Sequence, residues 1–174
     1  MKKNITYILI FCLSFFIIFV LYKSLNKENV YIPEKVLNEK ISNFSSKDLF
    51  SENIVNSKDF ILKNKYSLIN IWASWCLPCR AEHEILMEIS KDESIFLIGI
   101  NYKERSANAK SFLHKVGDPF DIIFTDKDGT LSINLGAVGV PETYIVNSDQ
   151  EIIKRYIGTL SEKQFQEIKK IINK

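Results

Sequence analysis

Apolar and polar positions fall along this chain in distinct regimes, and the first is uncharged. Ile5 to Tyr22 carries only Thr6 and Ser14 as mildly polar interruptions and lies behind Lys2 and Lys3. At the rise of a helix it spans about 27 Å, close to the hydrocarbon thickness of a bilayer, and it has no polar face. Tyr7 and Tyr22 stand near its ends, where interfacial aromatics are common. After Leu21 come Tyr22, Lys23 and Ser24, with no small-residue cleavage site, so the stretch reads as an uncleaved anchor rather than a signal peptide. The lysine pair ahead of it favours a cytoplasmic segment 1–4, a transmembrane span 5–22 and an exported remainder. Residues 23–40 are polar, contain Pro33 and read as a tether.

From residue 41 onward the periods change. Ile41 to Phe50 alternates weakly, as an edge strand or hairpin arm does, and Asp59 to Leu62 reads as a short helical turn. Ser67 to Trp72 is nearly continuous in apolar residues, which predicts a central strand buried on both faces. The helical pattern Ala81 to Ser90 places Ala81, Ile85, Leu86 and Ile89 inward and Glu82, Glu84 and Glu88 outward. Ile95 to Ile100 predicts a second buried strand. Ser106 to Val116 predicts a second helix, with Ala109, Phe112, Leu113 and Val116 on one side and Gly117 as its C-cap. Ile122 to Phe124 is a short strand before Asp126 to Gly129. Those residues form a turn by composition, since too few carboxylates follow for a calcium loop. Leu131 to Leu135 is a brief helix, and Thr143 to Val146 with Ile152 to Tyr156 form a hairpin. Ser161 and Gln164 have capping-box spacing before a helix whose inner stripe is Phe165, Ile168, Ile171 and Ile172. This order predicts a three-layer α/β domain over 41–174, parallel in its first half and antiparallel in its second.

Composition narrows the function. A net charge of +2 with scattered lysines gives no support for a nucleic-acid partner. Of three cysteines, Cys12 lies in the apolar stretch, so Cys76 and Cys79 alone remain to the folded part. A disulfide-stapled scaffold is excluded. Covalent haem attachment would need a histidine where Arg80 stands. A closed zinc site needs four ligands, and only Cys76, Cys79 and His83 are near. A crosslink this short closes almost no loop and stabilises little. Redox chemistry is what the pair suits. Cys76 falls at a helix mouth, where unpaired N–H groups and the helix dipole favour a thiolate over a thiol of ordinary pKa near ~8.5. Cys79, a turn further in, should be more buried and should act as the resolving thiol. Pro78 supplies no competing N–H. Gly139-Val140-Pro141 precedes a strand, and spacing alone leaves its proline cis or trans.

Trp72-Ala73-Ser74-Trp75-Cys76-Leu77-Pro78-Cys79-Arg80 resembles the thioredoxin active-site motif, and Gly139-Val140-Pro141 resembles that superfamily's cis-proline loop. Asn101 to Glu104, Gly117 to Phe120, Asp126 to Gly129 and Gly139 to Tyr144 further resemble the CcmG/DsbE family of cytochrome c biogenesis. The resemblance implies a thioredoxin-like α/β/α fold with a mixed central sheet, tethered by an N-terminal transmembrane helix to the inner membrane, single-pass, with its domain on the periplasmic side. It implies a thiol:disulfide oxidoreductase without cofactor or metal, working through a redox-active Cys76–Cys79 disulfide. A membrane electron donor of DsbD/CcdA type would keep it reduced. It would reduce the disulfide of apocytochrome c, directly or through a relay thiol protein. Pro141 is placed against Cys76, Trp75 and Val140 become substrate-docking residues, and Trp72 is as well read as core. Thioredoxins carry a buried aspartate where this chain has Asn70, so Glu142, and after it Glu104, are the candidate acids for Cys79.

Two rivals share these residues. A general oxidant or isomerase of exported proteins differs only in reduction potential. A copper carrier would need a three-residue spacer and a distal histidine, whereas His83 and His114 fall on predicted helices, where exposed or capping roles are expected.

Overall fold

The computed structural model describes residues 2–25 and 39–173, with some side chains of the first helix outside that set. The tether expected over 23–40 lies mostly outside the described residues. The chain divides into two units, one ending at residue 33 and the other running from 34 to 174. In the first, helix α1 (Lys2–Leu25) forms over the uncharged stretch. Among the described residues no helix is long and apolar enough to cross a membrane, and positions 5, 6 and 9 of the expected span are outside the described side chains.

The second unit is built on a five-stranded sheet ordered β5-β4-β3-β6-β7. Its strands are β3 (Tyr66–Trp72), β4 (Ile95–Tyr102), β5 (Ile122–Asp126), β6 (Glu142–Asn147) and β7 (Ile152–Ile157). Strand β3 is central, as its apolar run requires. It pairs in parallel with β4 and antiparallel with β6, so that Asn70 lies between Gly99 and Thr143. Helices α3 (Leu77–Ile89), α4 (Ser106–Val116) and α6 (Glu162–Ile172) follow the strands that the pattern assigned them. Leu68, Leu97 and Ile145 from one sheet face pack with Leu86 and Ile89 of α3 and with Phe165, Ile168 and Ile172 of α6. Helix α4 joins that side through Ala109 and Leu113, against Trp72 and Ile123. Val116, expected inward with them, is exposed at the helix end.

Residues of opposite parity, Ile69, Ile71, Ile98, Ile100, Tyr144 and Val146, form the core of the other face with Ile61 and Leu135. Ile61 ends the short helix α2 (Lys58–Ile61), and Leu135 caps α5 (Thr130–Asn134). A two-stranded hairpin, β1 (Ser45–Lys47) with β2 (Ile54–Asn56), lies along β5, where the Thr125 hydroxyl donates to the Lys47 carbonyl at 3.1 Å. That cover removes an open edge. The three-layer mixed-sheet architecture is therefore present. Its second outer layer is thinner than the first, being made of short helices and a hairpin. Gly117 closes α4 at φ 95°, a conformation that L side chains avoid. Asp126 ends β5 and accepts from the Leu131 and Ser132 N–H groups at 3.1 and 2.9 Å, so its carboxylate holds the start of α5.

The capping box read from Ser161 and Gln164 is formed in both directions. Ser161→Ala should therefore lower the unfolding free energy by about 1 kcal/mol, read as a lower urea midpoint with unchanged slope.

Candidate functional site

Strand β3 ends at Trp72 and the chain turns through Ala73–Trp75 into α3, with Cys76 as its N-cap in extended backbone geometry. The Cys79 N–H points at the Cys76 sulfur at 3.2 Å, and Pro78 sits in the first turn, where its missing N–H costs nothing. The two cysteines are joined in a disulfide with Cα atoms 5.3 Å apart. Cys79 was expected to be the more buried. In this oxidised form they are equally covered, at 4% and 5% exposure. The bond draws both sulfurs into one apolar cluster with Trp72, Ala73, Ala109 and Leu113, and Val140 packs against it. Trp75 and Leu77 beside them are 57% and 75% exposed, an apolar rim around a covered sulfur pair. Trp72 is core, stacked on Phe120 with ring centroids 5.4 Å apart.

The turn before Cys76 is fastened from two sides. Glu104 accepts from the Ser74 N–H at 2.9 Å, from the Ser74 hydroxyl, and from the Asn101 amide at 2.8 Å. The Arg80 Nε donates to the Ser74 carbonyl at 2.7 Å. Glu104 is thus a staple of the active-site turn. With its oxygens filled in this way, it is poorly placed to serve Cys79 as an acid.

Pro141 is buried and follows a cis Val140–Pro141 bond, the isomer that the family resemblance implied. Glu142, named beside it as a candidate acid, has a different role. It is fully buried and paired with Arg155 of β7. It also accepts from the Tyr144 hydroxyl at 2.5 Å and the Val138 N–H at 3.0 Å. Side chains alternate along a strand, so Glu142 points to the face opposite Thr143, away from Asn70 and α3. In this position the carboxylate is engaged by Arg155, Tyr144 and the Val138 N–H of the loop before Pro141.

A second buried acid lies on the inward face of α3: Glu82, which the stripe assignment had placed outward. The inward face of α3 is Cys79, Glu82, His83, Leu86 and Ile89, while Ala81 is exposed. Glu82 is wholly buried. It accepts from the Asn70 amide at 2.9 Å and from the Leu160 N–H at 2.8 Å. Burial pushes its pKa up to about 7, against the lowering effect of those two hydrogen bonds. The signal was in the sequence: Cys79, Glu82, Leu86 and Ile89 recur at helical spacing, but the charge of Glu82 argued against it. Asn70 also donates to the Thr143 hydroxyl at 2.9 Å. One amide thus joins the cysteine helix to the strand that follows Pro141.

Of the two histidines, His114 is exposed. His83 is buried, with Nε2 3.2 Å from the carbonyl of Gly117 at the end of α4. That is the capping role expected of it, though in a covered place. Burial lowers its pKa, so its neutral form is favoured.

With this geometry in place, the comparisons with known proteins agree. The Redoxin family model matches residues 37–172. The thiol:disulfide interchange protein DsbE of Haemophilus influenzae is 33% identical over 177 aligned positions, covering 100% of this chain and 97% of that one. CycY of Rhizobium leguminosarum bv. viciae, another thiol:disulfide interchange protein, is 43% identical over 100 residues. That alignment takes in 58% of this chain and about half, 54%, of CycY. Among solved structures, a DsbE-type thiol:disulfide interchange protein from Chlorobium tepidum superposes with a TM-score of 0.68. The superposition covers 79% of this chain and 95% of that one, at 18% identity, which speaks for the fold.

Glu82 binds its proton more tightly folded than unfolded. The stability this contributes is complete below its ordinary pKa of 4.5 and is lost as pH rises through about 7. Glu82→Gln sets an NH2 group against one of the two donors, so it should be less stable than the wild type near about pH 4 and gain on it by roughly 3 kcal/mol by about pH 8. Urea unfolding across that range checks it; a pH-independent difference would show that Glu82 holds no raised proton affinity.

Proposed function

The chain belongs to the DsbE family and is a thiol:disulfide oxidoreductase, and on that premise we propose that it is a membrane-anchored reductase serving cytochrome c biogenesis. Its substrate is the Cys-x-x-Cys-His disulfide of apocytochrome c, met directly or through a relay thiol protein. It works on the periplasmic side of the inner membrane, and a membrane donor of DsbD/CcdA type returns it to the dithiol state. The observation that carries the reading is Cys76 at the N-cap of α3, with Cys79 and the buried Glu82 on the inward face behind it.

The cycle needs no cofactor beyond the Cys76–Cys79 pair. Starting from the dithiol, the Cys76 thiolate attacks one sulfur of the substrate disulfide. A mixed disulfide forms, and the other substrate sulfur leaves as a thiolate and takes a proton. Cys79 then gives its proton to the Glu82 carboxylate and attacks the Cys76 sulfur. The second substrate thiolate is released, and the enzyme retains the disulfide. Two electrons have passed to the substrate. The helix start favours the first thiolate through its free N–H groups and dipole. A buried acid with a pKa of about 7 can both accept and return a proton near neutrality. Trp75 and Val140 offer apolar surface to the visiting chain, and loop backbone near Pro141 pairs with it as an added strand. The anchor reading rests on the uncharged stretch from Ile5 to Tyr22.

Cys79→Ala should accumulate a covalent adduct with a disulfide-bonded Cys-x-x-Cys-His peptide, and Cys76→Ala should not; mass spectrometry of non-reduced samples decides, and equal trapping by both overturns the roles. Separately, the full-length protein should stay with the membrane fraction through an alkaline wash, whereas a variant lacking residues 2–22 should be released.

A further inference from the structure

On the sheet face turned away from α3, a buried guanidinium reaches the loop whose Val140 packs on the cysteine cluster. Arg155 of β7 has a side chain only 1% exposed, and its Nε donates to the Glu142 carboxylate. Its Nη2 donates to the Gly136 carbonyl at 2.9 Å, and its charge lies 5.5 Å from the Tyr144 ring centroid. Through Glu142 the same group holds the Val138 N–H at 3.0 Å. Between those two fastenings and Pro141 lie Val138, exposed, and Val140, packed on the cysteine cluster.

We propose that Arg155 is a positioning residue for substrate, fixing the loop of residues 136–140 in the shape that a polypeptide disulfide must dock against. Nη1 of Arg155 is buried without a partner among the described residues, so the ion pair carries an uncompensated donor. A buried ion pair is weak grounds for stability, since apolar residues of like volume commonly hold a core as well or better. What apolar residues lack is a planar fork that joins two points of one loop, the Gly136 carbonyl and the carboxylate that grips Val138. The network therefore makes sense as a device for loop geometry. Arg155 lies on the face opposite Asn70 and Glu82, so changing it leaves the thiol chemistry itself in place.

This inference rests on the exchange reading above, and its test separates the two. Full-length protein in detergent micelles is pre-reduced and mixed with either oxidised glutathione or a longer peptide closed by a Cys-x-x-Cys-His disulfide. Arg155→Lys keeps the charge opposite Glu142 but loses the fork, so it should fold. Its rate with glutathione should stay within about twofold of wild type. The concentration of peptide giving half-maximal rate should rise about tenfold, at unchanged maximal rate. Amide exchange at Val138, Gly139 and Val140 should quicken at least about tenfold, while that of β3 and β4 is unchanged. Arg155→Met should repeat this pattern if it folds. Equal loss with both substrates, or no loss with either, overturns the proposal, as does unaltered exchange at the loop. If the wild type reduces neither substrate, the exchange reading falls, and the amide measurement still decides what Arg155 holds.

Discussion

The Asn70 side-chain amide, buried in the middle of the central strand, gives one hydrogen to Glu82 and the other to Thr143. Few arrangements tolerate a carboxylate at that depth. Taking an acid out of water is costly unless it keeps hydrogen bonds or a proton. The chain does both, with two donors to Glu82 and a pKa lifted to about 7. The same amide makes the register of β3 and β6 matter chemically. A slip by one residue would turn Thr143 away and bring Glu142 toward α3. Cysteine helix and proline loop are therefore set relative to each other by pairing at the centre of the sheet, well behind the reacting sulfurs.

Two buried carboxylates on opposite faces of the sheet then differ in their partners. Glu82 points from α3 into the sheet and, among the described residues, has no cation as a hydrogen-bond partner. Glu142 faces the other way and is paired with Arg155. Burial raises the proton affinity of Glu82. The unpaired acid is the one suited to exchanging a proton, and the paired one is suited to holding a loop. Glu104, filled by Ser74 and Asn101, belongs with the second kind.

Much of this was legible in the residues. Element order, the buried central strand, the hairpin near the end, the capping box at Ser161 and the cysteine at a helix mouth all follow from local periods and local chemistry. What failed was the rotation of α3. The outward assignment of Glu82 followed charge, and the helix instead turned Cys79, Leu86 and Ile89 inward, which carries Glu82 with them and leaves Ala81 in solvent. The role of Glu142 was hidden for another reason. Its partner is on β7, where Arg155 stands opposite Tyr144, and such a pairing exists only once the strands are in register. Long-range ion pairs leave no local trace.

A protein that passes electrons through two thiols has to manage two sulfurs in different ways with one helix. The start of α3 favours negative charge on Cys76 for as long as the dithiol persists. Cys79, inside the first turn, must lose its proton once the mixed disulfide has formed, because only then is there a bond at the Cys76 sulfur for it to attack. A fixed cation beside Cys79 would make it a standing thiolate and remove that order. A buried acid near neutrality does not. It takes the proton when the developing sulfur anion can pass its charge on to the departing thiolate, and it can give the proton back when the disulfide is reduced again. The absence of a cation among its partners in the described residues, which makes Glu82 costly for stability as pH rises, is the same property that suits it to the proposed exchange in both directions.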